Sequence, residues 1–252
     1  MPPSDSFRFP ARFFSWPELA AGSQRLEELA VIQNAVFGER RTLFSCDSYS
    51  VYYTHTQANR LLPFYQSDAE FLDLHLSSFQ RRINRGVEGE IVEPVSPGDV
   101  VLYRKNIILG NFTAASADMF WETLQVQAPG SPQKPVPFEE GMSVRRGLRS
   151  TAGLFSQLSL KPASKPIPSL LARTLQASAL GDGHGPVNLK SVSGDQILIV
   201  FSGTARISQS KRKSSLIRKG HIIRIPSACR EKITITPEGK DGYSGLHVVI
   251  AR

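Results

Sequence analysis

Cysteine, histidine and long apolar runs are all scarce in this chain. Its two cysteines, Cys46 and Cys229, are too few for a disulfide framework and sit in no metal-ligand spacing. They fit a reducing, cytoplasmic setting, with a single Cys46–Cys229 bridge as the alternative. The five histidines, His55, His75, His184, His221 and His247, are scattered singly. No apolar run reaches the roughly eighteen residues of a membrane span, which excludes a transmembrane helix. Met1–Pro2–Pro3–Ser4–Asp5–Ser6 lacks the basic-then-apolar pattern of a secretory signal, so none is expected. Acidic residues are outnumbered, 22 against 30 Lys and Arg, for a net charge of +8.

What is present is ordinary globular composition, 40% apolar and 21% charged over 252 residues. The length suits one large domain or two small ones. The basic excess collects at Arg81–Arg82–Arg85, Arg145–Arg146–Arg149 and Lys211–Arg212–Lys213. Such clusters could neutralise phosphates, but no RNA-binding or helix-turn-helix motif accompanies them, and solvated turns are the simpler reading. A nucleic-acid partner is therefore the weaker expectation. The last cluster reads as the tip of a hairpin over residues 207–217, where lysines also discourage edge-to-edge association.

Along the chain the hydrophobic pattern changes three times. Residues 1–40 form an arm rich in aromatics and proline, with a short helix predicted from Leu26, Leu29, Ala30 and Ile32. Residues 41–127 carry short β-runs, at 50–56, 70–76, 86–92, 100–103 and 121–126, separated by turn residues. Residues 128–186 are rich in proline and serine and read as a connection, partly helical at 170–175. Residues 187–252 return to β-pattern: 196–201, a turn at Ser202–Gly203, then 204–208, 221–226, 232–236 and 246–250. Both β-regions share one order of strands and turns, which suggests two copies of one module.

That module, with Phe64–Tyr65–Gln66–Ser67–Asp68–Ala69–Glu70–Phe71–Leu72 followed by Pro97–Gly98–Asp99, resembles a cupin, a double-stranded β-helix barrel. The implied fold is all-β, a bicupin of two barrels with an N-terminal arm. Residues 50–112 are similar to the N-terminal, non-metal half of homogentisate dioxygenase, and the second half resembles the C-terminal cupin of phosphomannose isomerases. Cupin sites usually hold a metal through histidines and a glutamate that converge because alternate strand residues face the lumen. Here Glu70 stands at the motif glutamate without the histidines. In the second module Gln196, Lys190 and Val192 occupy the corresponding positions. The resemblance thus implies a fold without its inherited metal site, and no cofactor.

Three functions follow from it. The first is a metal-free binding or assembly protein. The second is a metal-independent isomerase or lyase. Glu70 would transfer the proton, its pKa raised by an apolar lumen or held down by pairing with Arg104, Arg60 or a tyrosine. The third is a dioxygenase-like enzyme with a rearranged site built from His55, Glu70 and Asp68. Tyr53, His55, Tyr65, Tyr103 and Arg104 are the candidate contacts to a small anionic or aromatic ligand. His75 shares the parity of Asp73, opposite to Glu70, so one straight strand cannot aim both Glu70 and His75 inward. Homodimerisation through the arm or the sheet edges is expected.

Overall fold

The computed structural model describes residues 32–35, 38–130, 134–160, 169–181, 185–190, 192–209, 214–227, 229 and 232–251. The N-terminal helix, apart from Ile32, together with His184 and the Lys211–Arg212–Lys213 tip, lies outside them. Ile32 itself is in a strand. Two compact units form: one over Glu27–Ser159 and one that takes in Leu160–Arg252. No helix among the described residues is long and apolar enough to cross a membrane. Cys46 and Cys229 are free thiols.

The described residues of the first unit form thirteen strands. They are β1 (Ile32–Ala35), β2 (Gly38–Cys46), β3 (Tyr49–Gln57), β4 (Tyr65–Gln66), β5 (Phe71–His75), β6 (Phe79–Asn84), β7 (Glu90–Val95), β8 (Asp99–Tyr103), β9 (Ile108–Leu109), β10 (Phe112–Ala115), β11 (Phe120–Gln127), β12 (Lys134–Pro135) and β13 (Ser156–Ser159). A seven-stranded sheet runs β1-β2-β3-β11-β5-β8-β13, accompanied by β10-β6-β7 and β12-β4-β9. Between them lies a cluster drawn from all three sheets: Phe71, Val101 and Tyr103 meet Ile83 and Leu109, and Leu154 and Phe155 join them. Alternation sorts β5 cleanly, with Leu72 and Leu74 on one face and Phe71, Asp73 and His75 on the other. Burying each such leucine contributes roughly 1.5–3 kcal/mol. The turn between β9 and β10 requires glycine: Gly110 has φ +101°, and a Cβ there would lie 1.9 Å from the Pro63 carbonyl oxygen.

The second unit contains β14 (Ser169–Leu171), β15 (Leu175–Leu180), β16 (Val187–Leu189), β17 (Asp195–Gln209), β18 (Ser214–Arg218), β19 (Ile222–Ile225) and β20 (Ile233–Ile250). Its frame is two long strands, β17 and β20, paired along most of their length. The first half of β17 also pairs with β19, and the second half with β18, so one strand has two successive partners within a single seven-stranded sheet. The faces enclose Leu198, Val200, Ile207, Ile217, Ile223, Ile225, Ile233 and Ile235.

Three local expectations are corrected. Ser202–Gly203 is a β-bulge inside a continuous β17, where the register shifts and Gly203 takes φ +72°, not a chain reversal. A bulge bends a strand without ending it. Residues 170–175 form a β-hairpin turn, not a helix: Leu170 pairs with Ala177 and Leu171 with Gln176 across a turn at 172–174. The helix of the proline-rich stretch is instead Phe138–Arg145, entered from Pro137. Gly86–Glu88 forms a 3-10 turn before β7, because Gly86 and Gly89 both sit at positive φ.

Candidate functional site

The interior of the first unit carries a polar block beside its apolar cluster. Cross-strand pairing sets it up row by row, because directly opposed residues on an antiparallel pair share a face. Tyr52 opposes Gln125, Gln125 opposes Asp73, and Asp73 opposes Val101. One step along, Thr54 opposes Thr123 and Thr123 opposes His75. Asp73, His75, Gln125 and Thr123 thus form one block on the face that carries Phe71 and Tyr103. From the facing sheet, Arg81 of β6 reaches this block: its Nη2 lies 3.5 Å from His75 Nε2, and its guanidinium covers the Phe155 ring at 4.5 Å. Arg40 of β2 stacks on Tyr52 at 3.8 Å and donates to Gln127 Oε1 at 2.7 Å.

The hydrogen bonding is only partly completed. Gln125 Nε2 donates to Asp73 Oδ1 at 2.9 Å, which fixes the amide and leaves Gln125 Oε1 buried without a partner. Arg81 Nη1 and His75 Nδ1 are likewise buried and unpartnered. Arg81 has no acceptor, so His75 Nε2 accepts from it and Nδ1 carries the proton. Burying such groups unsatisfied costs about 1–3 kcal/mol each, more where charged. Three of them in one lumen are a costly arrangement.

Burial governs the titration of this block. Asp73 keeps some accessible surface, yet desolvation dominates and pushes its carboxyl up to about 6. The Gln125 hydrogen bond and the charges of Arg40 and Arg81 oppose that rise. Burial, and then Arg81, drive His75 well below the ordinary imidazole range, so it is neutral. Burial carries the Tyr65 and Tyr103 hydroxyls far above theirs, with the Asp73 charge adding to it, so both stay protonated. Arg145, fully buried from the helix Phe138–Arg145, is lowered by burial to about 10 and donates to the Ile108 and Gly110 carbonyls. The expectation of solvated turns therefore fails for Arg81 and Arg145, both of which point inward.

The residues expected from sequence divide between two faces. Tyr65 and Tyr103 pack around the lumen cluster. Tyr53 and His55 lie in the alternate register, opposite Leu124 and Glu122. There the Tyr53 hydroxyl donates to Glu122 Oε1 at 2.5 Å, and the His55 ring lies 3.9 Å from that of Phe120. Glu70 is buried next to β5 with the parity of Leu72 and Leu74, the face turned from Asp73. Arg104 is exposed beyond the end of β8. The structure thus separates Tyr53, His55, Glu70 and Arg104 from Tyr65 and Tyr103, and brings in Asp73, His75, Arg81 and Gln125. Their signal lay in the strand text: 72, 74, 124 and 126 are all aliphatic, so the alternate positions of β5 and β11 form a separate polar face.

Among the described residues no group of three or more His, Cys, Asp or Glu side chains could hold a metal ion. Asp73 and His75 share a face, but the groups beside them are an amide and a guanidinium. A cation placed there would face Arg81, so the donor set does not fit a metal. Among its described residues the second unit has one inward polar pair, His247 Nε2 donating to Gln196 Oε1 at 2.7 Å, and burial lowers His247 to about 4. Asp195 is drawn the other way. Burial raises its pKa, but the Ser227 backbone N–H and Arg224, 2.9 Å away, outweigh that and lower it.

No family model matches the chain, and no curated protein matches it. Solved structures do. AerE from Microcystis aeruginosa aligns over 95% of this chain and 99% of its own, with TM-score 0.56 and 12% identity. A point mutant of Bacillus subtilis oxalate decarboxylase aligns over 99% and 80%, with TM-score 0.56 and 10% identity. A further oxalate decarboxylase structure covers 88% and 75%, with TM-score 0.54 and 10% identity. These support a cupin-type fold and do not extend to the narrower likeness to homogentisate dioxygenase. At such identities the likeness is one of fold, and in fold this chain is a cupin-type β-barrel protein.

Proposed function

We propose that the lumen of the first unit is a small-molecule site in which Asp73 moves a proton, as a metal-independent isomerase or lyase would require. The observation that carries this reading is the placement of Asp73. It is a lumen carboxyl held by Gln125, between two guanidiniums and two protonated tyrosines, with a pKa of about 6. A carboxyl titrating there both accepts and returns a proton near neutral pH. Tyr65 and Tyr103 would donate O–H hydrogen bonds to an oxyanion developing on the substrate, and Arg40 and Arg81 would hold its negative charge. The role first given to Glu70 passes to Asp73, because Glu70 has the parity of the opposite face. Inward burial of Arg81 and Arg145 supports a small ligand over a nucleic acid, since it removes those charges from the phosphate-accessible surface.

A binding or assembly role suits the second unit, whose interior is closed by aliphatic side chains. With the first unit it makes up the proposed bicupin. The test is a thermal-shift screen of small organic acids and their neutral analogues against wild type and Asp73→Asn. The expected result is one or more compounds that raise the wild-type Tm by several degrees and the variant's by much less. Absence of any stabilising compound, or equal shifts in both proteins, would overturn the reading.

A further inference from the structure

Three of the unpartnered groups in the lumen, beside Thr54 Oγ1 in the same row, define a ligand by complement. Arg81 Nη1 is a charged donor, His75 Nδ1 is a neutral donor, and Gln125 Oε1 is an acceptor. All three belong to residues more than nine-tenths buried, at 3%, 3% and 7% exposure. They belong to one neighbourhood: Gln125 bonds Asp73, Asp73 is two residues from His75 on the same face, and Arg81 touches His75. Thr123, opposite His75, adds a hydroxyl. Charge points the same way. Two guanidiniums, Arg40 and Arg81, act on a single carboxyl, Asp73, and Arg145 is buried where its charge reaches Tyr65, so even with Asp73 ionised the interior carries excess positive charge. A bound anion offsets it.

We infer that the lumen takes a small hydroxycarboxylate, its carboxylate accepting from Arg81 and His75 and its hydroxyl donating to Gln125 Oε1. The donors require an acceptor-rich anionic group, and a carboxylate supplies it. The lone acceptor requires a ligand donor, which a plain carboxylate lacks. Discrimination on such a hydroxyl is strong, because the acid without it leaves Gln125 Oε1 as unsatisfied as it is in the free protein. The inference rests on the lumen being the ligand site proposed above.

The test is calorimetric titration of the full chain with lactate, 3-hydroxybutyrate and mandelate, each beside its deoxy partner propionate, butyrate or phenylacetate, and with lactamide as the neutral analogue of lactate. At least one hydroxy acid is expected to bind about tenfold more tightly than its deoxy partner. Arg81→Met should weaken that acid about ten- to a hundredfold, and Gln125→Leu should erase the preference for the hydroxyl. If either variant fails to fold, the acid–amide and hydroxy–deoxy comparisons on wild type decide the same points without it. Lactamide binding as well as lactate, or equal binding of hydroxy and deoxy acids, overturns the inference while leaving the Asp73 site standing. If no acid or amide binds, and the broader screen also finds nothing, both fall and the lumen groups are satisfied by water alone.

Discussion

The two units differ in what fills their interiors. The second encloses Leu198, Val200, Ile207, Ile223, Ile225, Ile233 and Ile235, nearly all without exposed surface, and among its described residues admits one inward polar pair, His247 and Gln196. The first buries His75, Arg81, Thr123 and Gln125, with Asp73 half-buried beside them, and leaves three of their polar atoms unpartnered. Aliphatic filling is what stability alone selects, since each buried methylene contributes about 0.8 kcal/mol, although the Tyr243 hydroxyl in the second interior is also buried without a partner. A lumen that retains a guanidinium, a neutral imidazole and a half-buried carboxyl forgoes more of that gain. The contrast is between an interior closed by aliphatic side chains and one that keeps polar groups at depth.

Core truncation should break the comparison most forcefully. Leu198→Ala removes a side chain with no exposed surface from the aliphatic interior and is expected to cost about 2–5 kcal/mol by chemical denaturation. In the first unit, Asp73→Asn is expected to stabilise. Its folded pKa of about 6 lies above the ordinary 3.8, so the stability tied to protonated Asp73 is fully present below pH 3.8 and lost as pH rises through 6. The variant should therefore exceed wild type by on the order of 1–2 kcal/mol at pH 8, discounting for the accessible surface of Asp73, and match it near pH 4. Equal stability of the two proteins at pH 8 would show that the carboxylate is not desolvated. His247 titrates with the opposite sign. Its folded value of about 4 lies below the ordinary 6.5, so its contribution is complete above pH 6.5 and disappears as pH falls through 4. Between pH 7 and pH 4.5 wild type should lose about 1 kcal/mol more than His247→Gln, read from paired denaturation curves.

The fold was more legible than the site, for a physical reason. Barrel strands announce themselves by β-formers and turn residues, and β3, β5, β8, β11 and β19 lie where those signals fall. Long strands hid their continuity: Gly203, Gly239 and Gly242 carry turn chemistry but act within β17 and β20. The proposed site differs from the motif position by a matter of parity. Motif position drew attention to Glu70, while the alternation of Phe71–Leu72–Asp73–Leu74–His75 already put Asp73 and His75 on a face of their own. A polar face on a strand usually meets water, and only closure of the sheet turns it into a lumen, which is a tertiary event that no single strand records. Arg81 was hidden likewise, since its neighbours Arg82 and Arg85 made it look like one more charge in a solvated cluster.

The smallest expected effect is the sharpest check on that parity. Tyr53 and Tyr52 are adjacent tyrosines of β3, yet Tyr52 opposes Gln125 while Tyr53 opposes Leu124. Tyr53→Phe removes the hydroxyl that donates to Glu122 and should cost about 1 kcal/mol of stability. Ligand affinity, measured by titration with whichever acid stabilises wild type, should not change, because that hydroxyl lies on the far side of the sheet from Asp73. Tyr52→Ala should not reproduce this pattern: it removes the ring that supports the Arg40 guanidinium at 3.8 Å, and Arg40 is one of the two charges acting on Asp73. If Tyr53→Phe weakened binding as much as Arg81→Met, the faces would be wrongly assigned, and with them the separation of Asp73 from Glu70 on which the site depends.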